Sequence, residues 1–323
     1  MAKNIKNIVV IGGGTGTALV LRALRKYPLH LTALPAMMDD GGSTGILRRE
    51  LGVLPAGDVR QCIIALADQK TGAERLLKYR FTKGTLAGHN VGNILLAALE
   101  KEHASFEKAL LHACTLFHTR GMIHPTTLQK ATLIARIGKK TIRGQSTIHK
   151  ETLPLHVRLE LDPLPRANPQ AERAIRNANA IIFAPSDWYS SIVPALLVPG
   201  IQKNIKKSSA VKIHVCNLVT TKNHTAGWNV ATFRQKLEEL LRCNIDYTIY
   251  NTKVPKGAHA APFVANDRAF VKFDGIKNTS YIPKRLLLNS LHNTKKGDLL
   301  ERNPVRHNER VLGRTLMQIF EKS

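Results

Sequence analysis

Continuous apolar runs alternate with stretches of helical periodicity through the first two-thirds of the chain. Runs over 5–11, 29–38, 180–184, 211–219 and 245–250 carry neighbouring apolar residues rather than an alternating pattern. That is the signature of parallel strands covered on both faces. Helical periodicity over 17–27, 58–68, 91–100, 105–118, 169–178, 188–198, 229–242 and 307–321 predicts the helices between and after them. The pattern changes at 132–149, where two short apolar-polar runs flank Gly138-Lys139-Lys140 and predict a hairpin. The expected fold is α/β: a doubly wound, mostly parallel Rossmann-like sheet with a small antiparallel excursion. One nucleotide-binding domain is expected over 1–323, with the hairpin inserted near 132–149 and a less readable C-terminal part over 251–323.

Glycine-rich loops stand where the first two strands end. The first is Gly12, Gly13, Gly14, Thr15 and Gly16; the second is Asp39, Asp40, Gly41, Gly42 and Ser43. Glycines let backbone N–H groups approach a phosphate, and a following helix N-terminus adds positive partial charge. The first loop has Thr17 where the dinucleotide fingerprint has its third glycine. Its alternative reading is a tight strand-to-helix turn. Asp39 and Asp40 repel a phosphate but suit a sugar hydroxyl, a base N–H or a bridging Mg²⁺ ion.

Ligands of such sheets bind outside the carboxyl ends of the strands. Further candidates fall there or in the adjoining loops. Asp58 could cap a helix, with Arg60 and Gln61 reaching a phosphate, base or sugar from the first turn. His89, Asn90 and Asn93 precede or open an apolar helix, which Asn90 could simply cap. Ser186 and Asp187 end the strand at 180–184 and could equally cap the helix that follows. Asn217 lies in the 211–219 run.

Composition narrows the function classes. The 323-residue chain carries 48 Lys and Arg against 23 Asp and Glu, a formal charge of +25. The basic residues are spread along the chain and aromatics make up only 5%. A stacking platform for bases is therefore not evident, and the charge reads as a solvated surface rather than a nucleic-acid footprint. No run approaches the ~20 apolar residues of a membrane span. The early first strand leaves no room for a signal peptide, and the four cysteines form no CxxC pair. A cytoplasmic location with buried, reduced thiols is expected. The thirteen histidines show no HExxH or paired ligand spacing, so no zinc site is expected, and there is neither the GxSxG elbow of a hydrolase nor the GxxxxGK[ST] loop of a P-loop NTPase.

The loops, in this order, resemble the YvcK/CofD-like family, which includes bacterial gluconeogenesis factors and 2-phospho-L-lactate transferases. The matching stretches are IVVIGGGTGTALVLRAL, DDGGSTGILRRELGVLPAGDVRQCIIALAD, GHNVGNILLAAL, GQSTI, DPLP and WYSSIVPALLVPGI, within about two-thirds of the chain. The long blocks near Arg48 and Ser190 resemble the gluconeogenesis-factor branch more than the transferase branch. The resemblance implies binding of a UDP-sugar such as UDP-N-acetylglucosamine, and a regulatory role linking carbon metabolism to cell-wall synthesis and cell shape through a regulated protein partner. The transferase branch implies a guanosine-diphosphate-linked donor, Mg²⁺ and a deazaflavin acceptor. The resemblance places Gly12 to Gly16, Asp39 to Ser43, Asp58, His89, Asn90, Asn93 and Asn217 on family motifs. The chain departs from the pattern at Ala184-Pro185-Ser186-Asp187, where the family has GPGS. It departs again at Gln61, in place of an asparagine, and at Trp228, in place of a tyrosine. With no evident nucleophile or acid–base pair, a regulatory binder is expected first, a transferase second and a nucleic-acid-binding protein third.

Overall fold

Ile8, Val9, Val10 and Ile11 are at most 1% exposed, because the strand that carries them lies at the centre of a sheet covered on both faces. The structure, a computed structural model, describes residues 5–68, 70, 72–154, 157–255, 269–275, 278–288 and 305–322. In chain order the first half runs β1 (Asn7–Gly12), α1 (Gly14–Leu24), β2 (His30–Pro35), α2 (Gly42–Leu51), α3 (Gly57–Leu66), α4 (Ala73–Lys78), α5 (Val91–His103), α6 (Phe106–Leu116) and β3 (Met122–Ile123). An antiparallel excursion follows, with β4 (Thr132–Ile137), β5 (Lys140–Arg143), α7 (Gln145–Ile148) and β6 (Arg158–Asp162). The main sheet resumes with α8 (Pro169–Arg176), β7 (Ala180–Phe183), a π turn (Trp188–Ile192), α9 (Val193–Leu196), α10 (Pro199–Lys207), β8 (Val211–Val215), α11 (Val230–Leu241), β9 (Tyr247–Asn251), β10 (Tyr281–Lys284) and α12 (Glu309–Lys322).

The seven-stranded sheet has the order β10-β9-β8-β7-β1-β2-β3, and all its pairings are parallel. Chain direction across the sheet therefore reverses between β1 and β7, the crevice where doubly wound folds bind ligands. The smaller sheet, β5-β4-β6, is antiparallel, as the hairpin pattern predicts. It delivers α7 to the carboxyl edge of the main sheet, where the Ser146 N–H donates to Asp40 at 2.7 Å.

Most expected elements are present with shifted ends. The 188–198 helix is instead a π turn running into α9, and a separate α10 begins at Pro199. Proline fits a first helical turn, whose N–H has no intrahelical partner. The second glycine loop is shorter than expected, because α2 already starts at Gly42. In the C-terminal part β10 and α12 are seen, while 256–268, 276–277 and 289–304 lie outside the described residues. Helix α12 returns to the first helix: Arg22 Nε meets Glu309 at 2.7 Å, and Gly313 passes 2.5 Å, measured from an ideal Cβ, from the Ala23 carbonyl.

The tightest contact at the β1–β7 crevice is between α1 and the loop after β7. A Cβ on Gly16 would lie 2.2 Å from the Pro185 carbonyl oxygen. Gly16 thus makes the close approach that the fingerprint assigns to the following position, and Thr17 is fully buried behind it. Gly16→Ala is expected to cost about 1–3 kcal/mol, because backbone rather than a flexible side chain must move. Thermal melting should fall at roughly 2–4 °C per kcal/mol. A variant that melts with the parent would mean that the two loops are not held this close.

Candidate functional site

Three helices begin at the carboxyl edge of the sheet without a capping side chain. They are α1 after Gly13, α2 after Gly41 and α3 after Ala56. The first turn of a helix has N–H donors with no intrahelical partner and carries the positive end of the helix dipole. All three contribute to one cavity of about 270 Å³, which the π turn closes from the β7 side.

Fourteen of the residues singled out from sequence line this cavity: Gly13, Gly14, Thr15, Gly16, Asp39, Gly41, Gly42, Ser43, Asp58, Arg60, Gln61, Asn93, Ser186 and Asp187. Asn217 lines a neighbouring cavity of about 100 Å³ between the end of β8 and residues 305–307. The two cavities share Thr15, Gly16 and Pro185. Gly12, Asp40, His89, Asn90 and Trp228 line neither. Gly12 ends β1. The Asp40 carboxylate is turned to the Ser146 N–H. The Trp228 ring packs edge-on against Trp188 and Phe233, 5.5 and 5.0 Å between centroids.

Asn90 caps α5, accepting from the Gly92 N–H at 3.0 Å, and its own N–H donates to Ser43 Oγ at 3.3 Å. His89 Nδ1 lies 3.3 Å from the same oxygen. Asp187 caps the π turn through the Ser190 N–H at 2.8 Å. Asp58, by contrast, lies inside the first turn of α3, whose N-cap is Ala56. Its carboxylate crowds Gly13, where an ideal Cβ would sit 2.0 Å from Oδ2. Ser186 ties its loop to the first glycine loop: Oγ donates to the Gly13 carbonyl at 2.9 Å and accepts from the Gly13 N–H at 3.2 Å.

Beneath the cavity runs a buried polar chain. Arg60 is 4% exposed; its Nε donates to Asn93 Oδ1 at 2.8 Å and its Nη1 to the Leu77 carbonyl at 3.1 Å. Asn93 in turn donates to Ser43 Oγ at 3.4 Å and Thr44 Oγ1 at 3.3 Å. The Thr44 hydroxyl bonds the Asp39 carboxylate. Arg60 therefore braces the starts of α2, α3 and α5 while showing one edge to the cavity. The lining also takes in Thr44, Gly57, Arg80, Gln145, Ser190 and Ser191. All but Arg80 lie within the stretches that carry the family resemblance, but none was singled out as a site residue, because different elements carry them to the same edge.

Two titrating neighbourhoods stand out. Burial pushes the Asp39 carboxyl above its ordinary value, against the lowering effect of the Gly41 N–H and the Thr44 hydroxyl. Burial likewise lowers His224, beside Asp187 and His149; Asp187 acts the other way. Among the described residues no helix is long and apolar enough to cross a membrane.

The family described as 2-phospho-L-lactate transferase CofD matches residues 8–287. A putative gluconeogenesis factor of Thermotoga maritima is 36% identical over 279 residues, covering 84% of this chain and 88% of that one. The gluconeogenesis factor of Bacillus subtilis is 35% identical over 253 residues, covering 76% and 78%. A crystal structure of a Bacillus halodurans protein shares the fold with a TM-score of 0.87 at 29% identity, covering 97% of this chain and 100% of that one.

The buried carboxylate gives a prediction with a definite sign. A native pKa above the unfolded one means that the folded state binds the proton more tightly. Ionised Asp39 then subtracts stability above its native pKa, and the deficit vanishes as pH falls below both values. Asp39→Asn should raise the melting temperature of the ligand-free protein at neutral pH. The gain should disappear below the ordinary carboxylate range of about 4. Melting curves at the two pH values check this; no gain at neutral pH would show that the carboxylate is not penalised by burial.

Proposed function

The chain belongs to the CofD family, and from that premise we infer that it is a cytoplasmic regulatory protein that binds a nucleotide-linked sugar, a UDP-sugar such as UDP-N-acetylglucosamine. One observation carries the reading: three helix N-termini, whose N-cap residues Gly13, Gly41 and Ala56 make no side-chain cap, open on a single cavity at the reversal point of a parallel sheet. Such N-termini receive a diphosphate. Asp39 and Asp58, at their edges, suit ribose hydroxyls or the base. Gly14, Thr15 and Gly16 would cradle the diphosphate, and Asn217 would orient the far end of the ligand from the second cavity. The choice of UDP-sugar follows the resemblance to gluconeogenesis factors. With it goes a role linking carbon metabolism to cell-wall synthesis and cell shape through a partner protein. The spread of basic charge supports only weak, non-specific nucleic-acid binding.

A second reading, a transferase of the 2-phospho-L-lactate type, draws on the same two carboxylates. Mg²⁺ takes oxygen ligands and keeps several waters, and the oxygen donors of Asp39 and Asp58 facing the cavity fit it. When bound, the ion would neutralise phosphate charge. The chain's own contribution would be positioning and electrostatic support from the helix N-termini, which can suffice for phosphoryl chemistry.

A thermal-shift panel of UDP-N-acetylglucosamine, UDP-glucose, GDP and NAD, with and without Mg²⁺, separates the readings. A UDP-sugar at 100 times its dissociation constant adds ~2.7 kcal/mol, a rise of several degrees at roughly 2–4 °C per kcal/mol. Asp39→Asn should weaken that binding by roughly 10- to 100-fold, the loss of a charge-assisted hydrogen bond. A response to GDP alone, with turnover of a GDP-linked donor, would replace the regulatory reading with the transferase. A response to NAD alone would overturn both.

A further inference from the structure

The turn after α7, the loop after β7 and the segment after β8 bring His149, Asp187 and His224 together. Each places one ligand atom within 4.8 Å of the others'. Sequence spacing hides the cluster, because the three residues come from separate crossovers of the fold.

His224 is 6% exposed. Its Nε2 lies 3.3 Å from the Ile148 carbonyl and the Glu151 backbone also bonds the ring, while its Nδ1 is buried with no hydrogen-bond partner among the described residues. An Nε2–H donating to a carbonyl fixes the tautomer that leaves the lone pair on Nδ1. Metal-bound imidazoles are oriented by such a bond from the other ring nitrogen. Asp187 is held in turn by the Ser190 N–H at 2.8 Å and lines the large cavity. The His149 and His224 rings stand edge to face, 5.2 Å apart and inclined by 73°, and exposed His149 opens the cluster to solvent.

We propose that His149, Asp187 and His224 form a binding site for a divalent transition metal of the zinc type at the rim of the cavity. Two imidazoles and a carboxylate suit Zn²⁺ or Co²⁺, whereas Mg²⁺ selects oxygen donors. Three protein ligands leave a coordination position for water or for an anionic group of whatever occupies the cavity. The buried Nδ1 gains the partner it otherwise lacks. Asp187, at the point where the chain departs from the family's GPGS loop, becomes the residue joining metal and cavity. The site stands without the nucleotide reading, since the ion needs no nucleotide to bind.

The test uses the full chain and Zn²⁺ alone, measured by competition with a chromophoric chelator, together with Co²⁺ absorption spectra. The parent should show a tight Zn²⁺ site and a Co²⁺ spectrum without thiolate charge transfer. His149→Ala changes an exposed side chain and should weaken Zn²⁺ by roughly 10- to 100-fold or more; Asp187→Asn should also weaken it. His112→Ala, which breaks the separate cluster of Glu102, His103 and His112, should leave the tight site intact. Absence of Zn²⁺ binding by the parent would overturn the proposal. So would a thiolate band, or a loss that follows His112→Ala instead of His149→Ala.

Discussion

The carboxyl edge of this sheet depends on backbone approaching backbone more closely than a side chain permits. Where α1 meets the loop after β7, the Pro185 carbonyl occupies the space a Gly16 Cβ would need. Where α2 folds back on its own loop, a Cβ on Gly45 would lie 1.9 Å from the Asp40 carbonyl. These contacts set how near the helix N-termini lie to one another, and hence whether their N–H donors address one cavity or several. The buried chain from the Leu77 carbonyl through Arg60 and Asn93 to Ser43 and Thr44 fixes the same spacing from below. The buried guanidinium thus has neutral acceptors for its Nε and Nη1 donors, and removing Asn93 would take away the acceptor of the first, which is costly in a buried site.

The electrostatics of the cavity are mixed by design of its elements rather than uniformly positive. Helix N-termini favour an anion, yet Asp39 and Asp58 stand among them. A bare phosphate would meet attraction from the first and repulsion from the second. A ligand that carries a diphosphate at one end and hydroxyl or amide donors at the other satisfies both, as does a phosphate that arrives with a cation. Burial raises the pKa of Asp39, so the ionised carboxylate subtracts stability from the ligand-free fold. The chain's large positive charge works at longer range, attracting anions without choosing among them.

Much of this was legible in the sequence, and the misses have physical causes. The central strands were readable because strands buried on both faces must be apolar at every position. The glycine and acidic loops were readable because backbone approach and carboxylate chemistry restrict residue choice. Helix α2 was hidden, since Gly42 and Ser43 at its start are turn formers and no cap announces it. Strand β6, with Arg158, Glu160 and Asp162 among its residues, lies at the edge of the small sheet and lacks the apolar run that betrayed the others. Asn90 carried two readings, and the structure realises the cap. Arg60, a candidate clamp, does line the cavity, and its guanidinium also bonds Asn93 and the Leu77 carbonyl, which helical spacing alone could not reveal. That Gln145 and Ser190 share the cavity, and that His149 and His224 meet Asp187, was out of reach, because their neighbours come from distant parts of the chain.

The Ser186-Asp187 departure ties these threads together. In a loop of glycines, the Gly13 N–H would be left for a ligand. Here Ser186 Oγ takes that N–H and returns a bond to the Gly13 carbonyl. The protein's own hydroxyl thus takes up one backbone donor of the first glycine loop and locks the two loops at the reversal point. Asn217 reinforces the lock by donating to the Ser186 carbonyl at 3.0 Å. What the loop loses as a backbone donor it gains in rigidity, which reduces the ordering a ligand must impose on binding. Asp187, the next residue, turns its carboxylate to the π turn and toward two imidazoles. The same change that removes a donor from one side of the cavity therefore adds an oxygen ligand to the other. The balance of the site moves from backbone dipoles alone toward dipoles assisted by side-chain ligation.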